Sequence, residues 1–329
     1  MRLAYYGTPA LAVPPLRRLT EQGHAPLLVV TRPDRPKGRG LSVAPSAVKE
    51  AALSLGLPVA TPARAGAPEE LDRIRLLTPD LIVLAAYGQI LPEALLRIPK
   101  LGALNLHYSL LPRHRGASPI QSAILAGDKE TGVTAMWMTA GLDEGPVFFE
   151  RRVPIDESED AGALAARLAE VAADCVAEAM ERIARGDIVR TEQDHARATF
   201  TAKMGPRDAR LLPGDAPASL ARRVRAFAPE PGAWLDVDGE RLLVLAAEAG
   251  SATPPPAPPG TLLGIDKTRG VEIALPSGSL WIARVKPSGR KAMAAADYVN
   301  GRRLKKGDRL ELGSDASSRA AHSGGEGVA

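Results

Sequence analysis

The sequence is short of several things that would each define a chemistry. It has one cysteine, Cys175, among 329 residues, so it forms no internal disulfide and no cysteine-rich metal site, and it suits a reducing compartment. Cys175 lies in a helical pattern among alanines, where a free thiol acts as a small apolar side chain. Aromatic residues make up only 4%, and the longest apolar run, residues 81–87, is far short of the ~18 residues of a membrane span. No secretory leader is legible, because Gly7-Thr8-Pro9 and Pro14-Pro15 interrupt the N-terminal apolar residues. A cytoplasmic, monomeric chain with no membrane partner is the expectation. Histidine is scarce, at five, and none stands at ligand spacing from His107, so no metal is expected. Two nucleotide signatures are also missing. Tyr6-Gly7-Thr8-Pro9 occupies the turn where a dinucleotide fold carries Gly-x-Gly-x-x-Gly, and Pro9 removes an amide that a pyrophosphate would need. There is no phosphate loop of the Gly-x-x-x-x-Gly-Lys-Ser/Thr type.

What is present is enough for two cores. Hydrophobic residues make up 45% and charged residues 24% of the chain, a globular composition at a length that favours two domains. The first half alternates strand-like and helix-like segments. Strands are expected at residues 2–6, 26–31, 58–60, 80–87, 102–108, 133–138 and 148–154. Helices are expected at 12–22, 46–55 with Ser46 as N-cap, 68–77, 119–125 and 161–185. That alternation predicts a Rossmann-like, doubly wound α/β domain over residues 1–187. Residues 188–213 have little apolar periodicity and read as a linker. Beyond them a helix at 219–226 precedes short strands at 233–237, 241–246, 271–275, 280–285 and 309–312. Asp238-Gly239 and Ser277-Gly278 supply hairpin signals. Several short strands in about a hundred residues predict an OB-like β-barrel domain over 214–312. Residues 313–329 read as a disordered tail.

Charge is divided unevenly. Residues 1–196 carry 22 Lys/Arg and 24 Asp/Glu, whereas residues 197–312 carry 19 and 12. A near-neutral first half beside a basic second half suits catalysis in one and a polyanionic partner on the other, although an inert basic surface has the same signature.

The densest chemical cluster is Asn105-Leu106-His107-Tyr108-Ser109-Leu110-Leu111-Pro112. In a strand, positions i and i+2 face the same way, so Asn105 and His107 project together near the C-terminal end of a parallel strand, where open α/β sheets bind ligands. Ala140-Gly141-Leu142-Asp143-Glu144-Gly145 forms a loop after another strand. Its Asp143 is positioned to reach the imidazole and fix its tautomer. The same residues also suit a hydrogen-bonded structural histidine at a strand end. His114 receives no role on sequence grounds.

These segments, with Arg115-Gly116-Ala117-Ser118-Pro119-Ile120, Gly132-Val133-Thr134, Gly7-Thr8-Pro9, residues 32–40 and Ala86-Tyr87-Gly88-Gln89-Ile90-Leu91-Pro92, resemble the 10-formyltetrahydrofolate-dependent formyltransferases. They occur in family order over residues 2 to 312. The resemblance implies a formyl donor, 10-formyltetrahydrofolate, with Ser109, Leu110, Leu111 and Pro112 lining its site. It implies transfer to the α-amine of methionyl initiator tRNA, with Asn105, His107 and Asp143 as catalytic residues. Arg39, Lys203, Arg302 and Arg303 are the expected tRNA contacts. Two rival reactions use the same residues, formylation of a small amine such as an amino sugar or ribonucleotide and hydrolysis of the folate; RNA binding without catalysis is a third alternative, against which the intact Asn105/His107/Asp143 set argues.

Overall fold

The computed structural model describes residues 1–37 and 42–313. Arg39 and, apart from Gly313, the expected tail lie outside the described residues. The chain divides into two compact units. The first comprises residues 1–123, 128–156 and 163–203; the second comprises 124–127, 157–162 and the chain from 204 onward.

In the first unit the strands are β1 (Leu3–Gly7), β2 (Leu28–Val30), β3 (Arg35–Lys37), β4 (Ser42–Ala44), β5 (Val59–Ala60), β6 (Leu81–Ala85), β7 (Ala103–His107), β8 (Arg115–Gly116), β9 (Glu130–Trp137), β10 (Val147–Pro154) and β11 (Phe200–Thr201). Seven of them form one sheet in the order β10-β9-β7-β6-β1-β2-β5. β5, β2, β1, β6 and β7 are parallel. The chain builds outward from β1 through β2 to β5 and then returns to the other side of β1 as β6. That reversal is the topological switch of a Rossmann-like sheet. Every residue of β1, β6 and β7 is buried, as near-continuous apolar strands covered on both faces must be.

The helices of this part of the chain are α1 (Val13–Glu21), α2 (Ala47–Ser54), α3 (Pro68–Leu77), α4 (Glu93–Leu96), α5 (Pro119–Ala126) and α6 (Ala161–Ala184). Ser46 caps α2 by accepting a 3.0 Å bond from the Lys49 amide, and proline starts α3, where the missing N–H is not needed. One core packs Ala4, Tyr6, Ile82, Leu84 and Ala103 of the sheet with Ile74 of α3 and Leu95 and Leu96 of α4.

The sheet is mixed rather than uniformly parallel. β9 runs antiparallel to β7, with His107 opposite Thr134 and Leu104 opposite Trp137, and β10 runs antiparallel to β9. The alternating pattern of the sequence predicts a strand there but not its direction. A parallel neighbour requires a connection that carries the chain back along the full strand length. The register instead has β9 start at the end where β7 finishes.

The second unit holds α7 (Pro217–Ala226), β12 (Ala233–Val237), β13 (Glu240–Ala249), β14 (Leu262–Asp266), β15 (Gly270–Leu275), β16 (Gly278–Pro287), β17 (Met293–Ala294) and α8 (Ala295–Gly301). The sheet order is β12-β13-β16-β15-β14, with β17 also on β16. Asp238 and Gly239 both have positive φ, 53° and 78°, the conformation of a two-residue hairpin turn. Residues 309–312 do not form a continuous strand. They make isolated bridges from Arg309 to Thr261 and from Leu312 to Val237.

Candidate active site

β7 carries Asn105 and His107 on one face, and both meet the carboxylate of Asp143. Each is 5% exposed. The Asn105 amide donates to Asp143 Oδ1 at 3.4 Å, the backbone N–H of Gly116 donates to Oδ2 at 2.8 Å, and His107 Nδ1 lies 3.7 Å from Oδ2. Asp143 has φ 48°, a left-handed conformation that aspartate adopts more readily than most residues.

The imidazole is not held in the way the sequence suggested. At 3.7 Å Asp143 stands beyond hydrogen-bond range of the ring. His107 Nε2 instead lies 3.0 Å from the carbonyl oxygen of His114. A carbonyl can only accept, so this bond places the proton of the neutral ring on Nε2. In a neutral ring this leaves Nδ1, the atom beside the Asp143 carboxylate, as the acceptor. His114 has φ 57°, its amide donates to Thr199 Oγ1 at 2.8 Å, and its own ring pairs with Asp128 at 2.7 Å.

Gln193, in the segment read as a linker, completes the support. Its side-chain amide donates to the carbonyls of Asp143 at 2.9 Å and Gly145 at 2.7 Å. Its oxygen accepts from Arg115 Nε at 3.1 Å and Nη2 at 2.7 Å. Gln193 is 6% and Arg115 3% exposed. The neighbouring chain follows suit: Thr191 and Val147 exchange backbone bonds of 2.7 and 2.9 Å, Trp137 Nε1 donates to Val189 O, and β11 pairs in parallel with β8. That pairing requires Gly116, where φ is +117° and a Cβ would stand 2.2 Å from Thr201 O.

The other expected residues are dispersed. Ser109 is fully buried; its hydroxyl donates to Arg113 O and its carbonyl accepts from Thr134 Oγ1, each at 2.7 Å. Leu110, Leu111 and Pro112 line a polar cavity of about 290 Å³ with Arg113, His114 and Thr131 among others. Lys203 is exposed at the end of the first unit. Arg302 pairs with Asp238 at 2.6 Å and donates to Tyr298 Oη. Partial burial opposes its charge, but those two bonds outweigh it and hold its pKa above the usual arginine value. Arg303 is exposed. Among the described residues no three His, Cys, Asp or Glu side chains converge as a metal site requires, and no helix is long and apolar enough to cross a membrane.

A buried amide, an imidazole and a fixed carboxylate thus stand together on a Rossmann-like sheet, the kinds of group that proton transfer and oxyanion stabilisation use. Comparison with known proteins agrees. Residues 1–180 match the formyl transferase family model and residues 208–303 the model for the formyl transferase C-terminal domain. The chain belongs to the formyl transferase family. It is 45% identical over 310 residues to the methionyl-tRNA formyltransferases of Thiobacillus denitrificans and Halorhodospira halophila, covering 94% of this chain and 99% of each relative. Among solved structures its fold resembles the N-formyltransferase of Helicobacter canadensis in complex with folinic acid and dTDP-3-aminofucose, with a TM-score of 0.62, 14% identity, and 86% of this chain and 98% of that one covered. It also resembles HypX of Aquifex aeolicus in complex with tetrahydrofolic acid, at TM-score 0.60 and 19% identity. There the match covers 94% of this chain but spans only half of the other.

Proposed function

We propose that this chain transfers the formyl group of 10-formyltetrahydrofolate to the α-amine of methionyl initiator tRNA. The observation that carries this is the similarity at 45% identity to methionyl-tRNA formyltransferases across 99% of their length, joined to a site with the three groups the reaction needs. The amine attacks the formyl carbon, and the carbonyl π pair moves onto oxygen. His107 Nδ1 takes the amine proton. Asp143, 3.7 Å from that atom, stabilises the resulting imidazolium. Asn105 donates a hydrogen bond to the oxyanion. Collapse of the intermediate breaks the bond to N10 of the folate, and the proton held at Nδ1 passes to N10. Leu110, Leu111 and Pro112 border the folate, while Ser109 shapes their turn through its internal bonds.

Residues 1–187 form the catalytic domain, 188–213 the connection and 214–312 an OB-like domain that holds tRNA. The barrel assignment draws on the bridges of residues 309–312 to both Val237 and Thr261, which tie β12 and the start of β14 through one segment. The excess of 19 cations over 12 acids in residues 197–312 favours a polyanion. Arg39, Lys203, Arg302 and Arg303 are its proposed contacts, Arg302 after release from Asp238. One assay tests the function. With 10-formyltetrahydrofolate, the enzyme is offered methionylated initiator tRNA, methionylated elongator tRNA, and small amines including an amino sugar nucleotide. Preferential formylation of the initiator tRNA is expected; formylation of a small amine alone would refute it.

A further inference from the structure

Phe200 is an exposed ring in a chain poor in aromatics. It is 70% exposed, whereas Phe148, Phe227 and Trp137 are each at most 3% exposed. Trp234 and Trp281 are covered by arginine guanidinium groups. Strand periodicity explains how the exposure arises. Thr201 turns inward, its hydroxyl accepting from the Ser118 amide at 3.2 Å, so its neighbour Phe200 turns outward.

The backbone beneath the ring is firmly held. The Arg115 amide donates to Thr199 O at 2.8 Å and the Ala117 amide to Thr201 O at 3.2 Å, while the Thr199 amide donates to Pro112 O. Phe200 lies in register with Arg115, and the next residue, Gly116, supplies the N–H that holds Asp143. The backbone that carries the ring is thus already ordered, beside the residues that support the Asp143 carboxylate. The surrounding sequence from 195 to 203 contains no acid, and it carries Arg197 and Lys203, both exposed, three residues to either side of Phe200. An exposed aromatic ring in a basic segment is the composition that binds unpaired nucleotides: the ring stacks on a base of any identity and the cations take phosphates along the strand.

We propose that Phe200 is a stacking platform for an unpaired base at the 3′ end of the tRNA substrate, with Arg197 and Lys203 binding the adjoining phosphates. This rests on tRNA carrying the acceptor amine. It assigns a second task to the segment after α6, which both supports Asp143 through Gln193 and receives the nucleic acid that delivers the amine to it.

The test is steady-state kinetics on the full chain with Phe200→Ala, Phe200→Leu and Phe200→Trp. For Ala and Leu the KM for methionyl-tRNA should rise about 5- to 100-fold, with kcat and the KM for 10-formyltetrahydrofolate within about twofold of the parent. Trp should restore the parental KM, since it supplies a π face where Leu supplies only apolar area. The second measurement uses deacylated tRNA as a competitive inhibitor, either intact or trimmed of its unpaired 3′ nucleotides. Trimming should weaken inhibition of the parent and have much less effect on Phe200→Ala. Parental kinetics in Phe200→Ala, a rise in the folate KM instead, or equal sensitivity of both enzymes to trimming would overturn the stacking role. If the parent formylates no methionyl-tRNA at all, the proposed function fails first; if it does so and Phe200→Ala matches it, only the stacking role fails.

Discussion

Gln193→Leu removes four hydrogen bonds with one substitution of similar volume, and its cost follows from what each partner is left with. The carbonyls of Asp143 and Gly145 lose their donors, and an orphaned buried polar group costs about 1–3 kcal/mol. The Arg115 guanidinium, 3% exposed, loses the oxygen that accepted two of its N–H groups; hydrogen bonds to charged groups contribute about 1.5–3 kcal/mol. Relaxation and water entry recover part of this, so a net loss on the order of 3–5 kcal/mol is expected, in the range typical of broken buried networks. Gln193→Glu separates stability from positioning. It retains the oxygen that accepts both Arg115 bonds and gains an ion pair, but it turns the nitrogen that donated to two carbonyls into an oxygen facing them. It should therefore unfold at a denaturant concentration closer to the parent than Gln193→Leu does. Both variants should lose kcat by about 10- to 100-fold, since a displacement of about 1 Å at the reacting groups has that effect. The KM for folate should stay near parental. The assays are urea unfolding and single-turnover formylation. Parental stability in Gln193→Leu would refute the hydrogen-bond accounting, and parental kcat in Gln193→Glu would refute positioning of Asp143 through its loop carbonyls.

Asn105→Ala should lower turnover by about 10²–10³ with folate binding retained, because an oxyanion donor acts mainly in the transition state; calorimetric folate titration beside single-turnover rates checks it. His107→Ala and Asp143→Asn should be strongly non-additive in kcat, as expected of groups acting as one unit, and fully multiplicative losses would mean they act independently. Cys175 is buried in α6, and desolvation pushes its thiol up to about 12. At pH 8 it should react with a thiol reagent only after urea unfolding, and prompt labelling of the folded enzyme would contradict that burial.

The parts of the fold legible in the sequence are those whose signal is local. β6 is a short apolar run, α2 is announced by Ser46, and the β12–β13 hairpin by Asp238-Gly239. Period-two alternation puts Asn105 and His107 on one face, and a glycine-bracketed loop identifies Asp143. Direction and pairing are not local properties. Nothing in residues 130–137 distinguishes an antiparallel β9 from a parallel strand, because that depends on the end of β7 at which the chain returns. β14 escaped for a related reason. Leu262–Asp266 is five residues with a glycine inside and a proline-rich stretch before it, and it becomes a strand only because β15 supplies its hydrogen-bonding partner.

The active site divides along the same line. Side chains that do chemistry are conspicuous by type, but the groups that orient them here are backbone atoms and one amide. His114 acts on His107 through its carbonyl oxygen, which every residue has, so no choice of side chain advertises it. Its left-handed φ and its bond to Thr199 fix that carbonyl's direction, and neither can be read from the string Arg113-His114-Arg115. Gln193 is a lone polar residue in a segment without periodicity, and its partners at 115, 143 and 145 lie about 50 to 80 positions away. The absence of periodicity in residues 188–203 therefore does not mean an absence of fixed structure within the connecting segment. A chain that pairs edge-on with short strands and threads hydrogen bonds into a site needs neither a helical stripe nor an alternating face. The identity of Gly116 does record this arrangement, since Thr201 O approaches it too closely for any side chain.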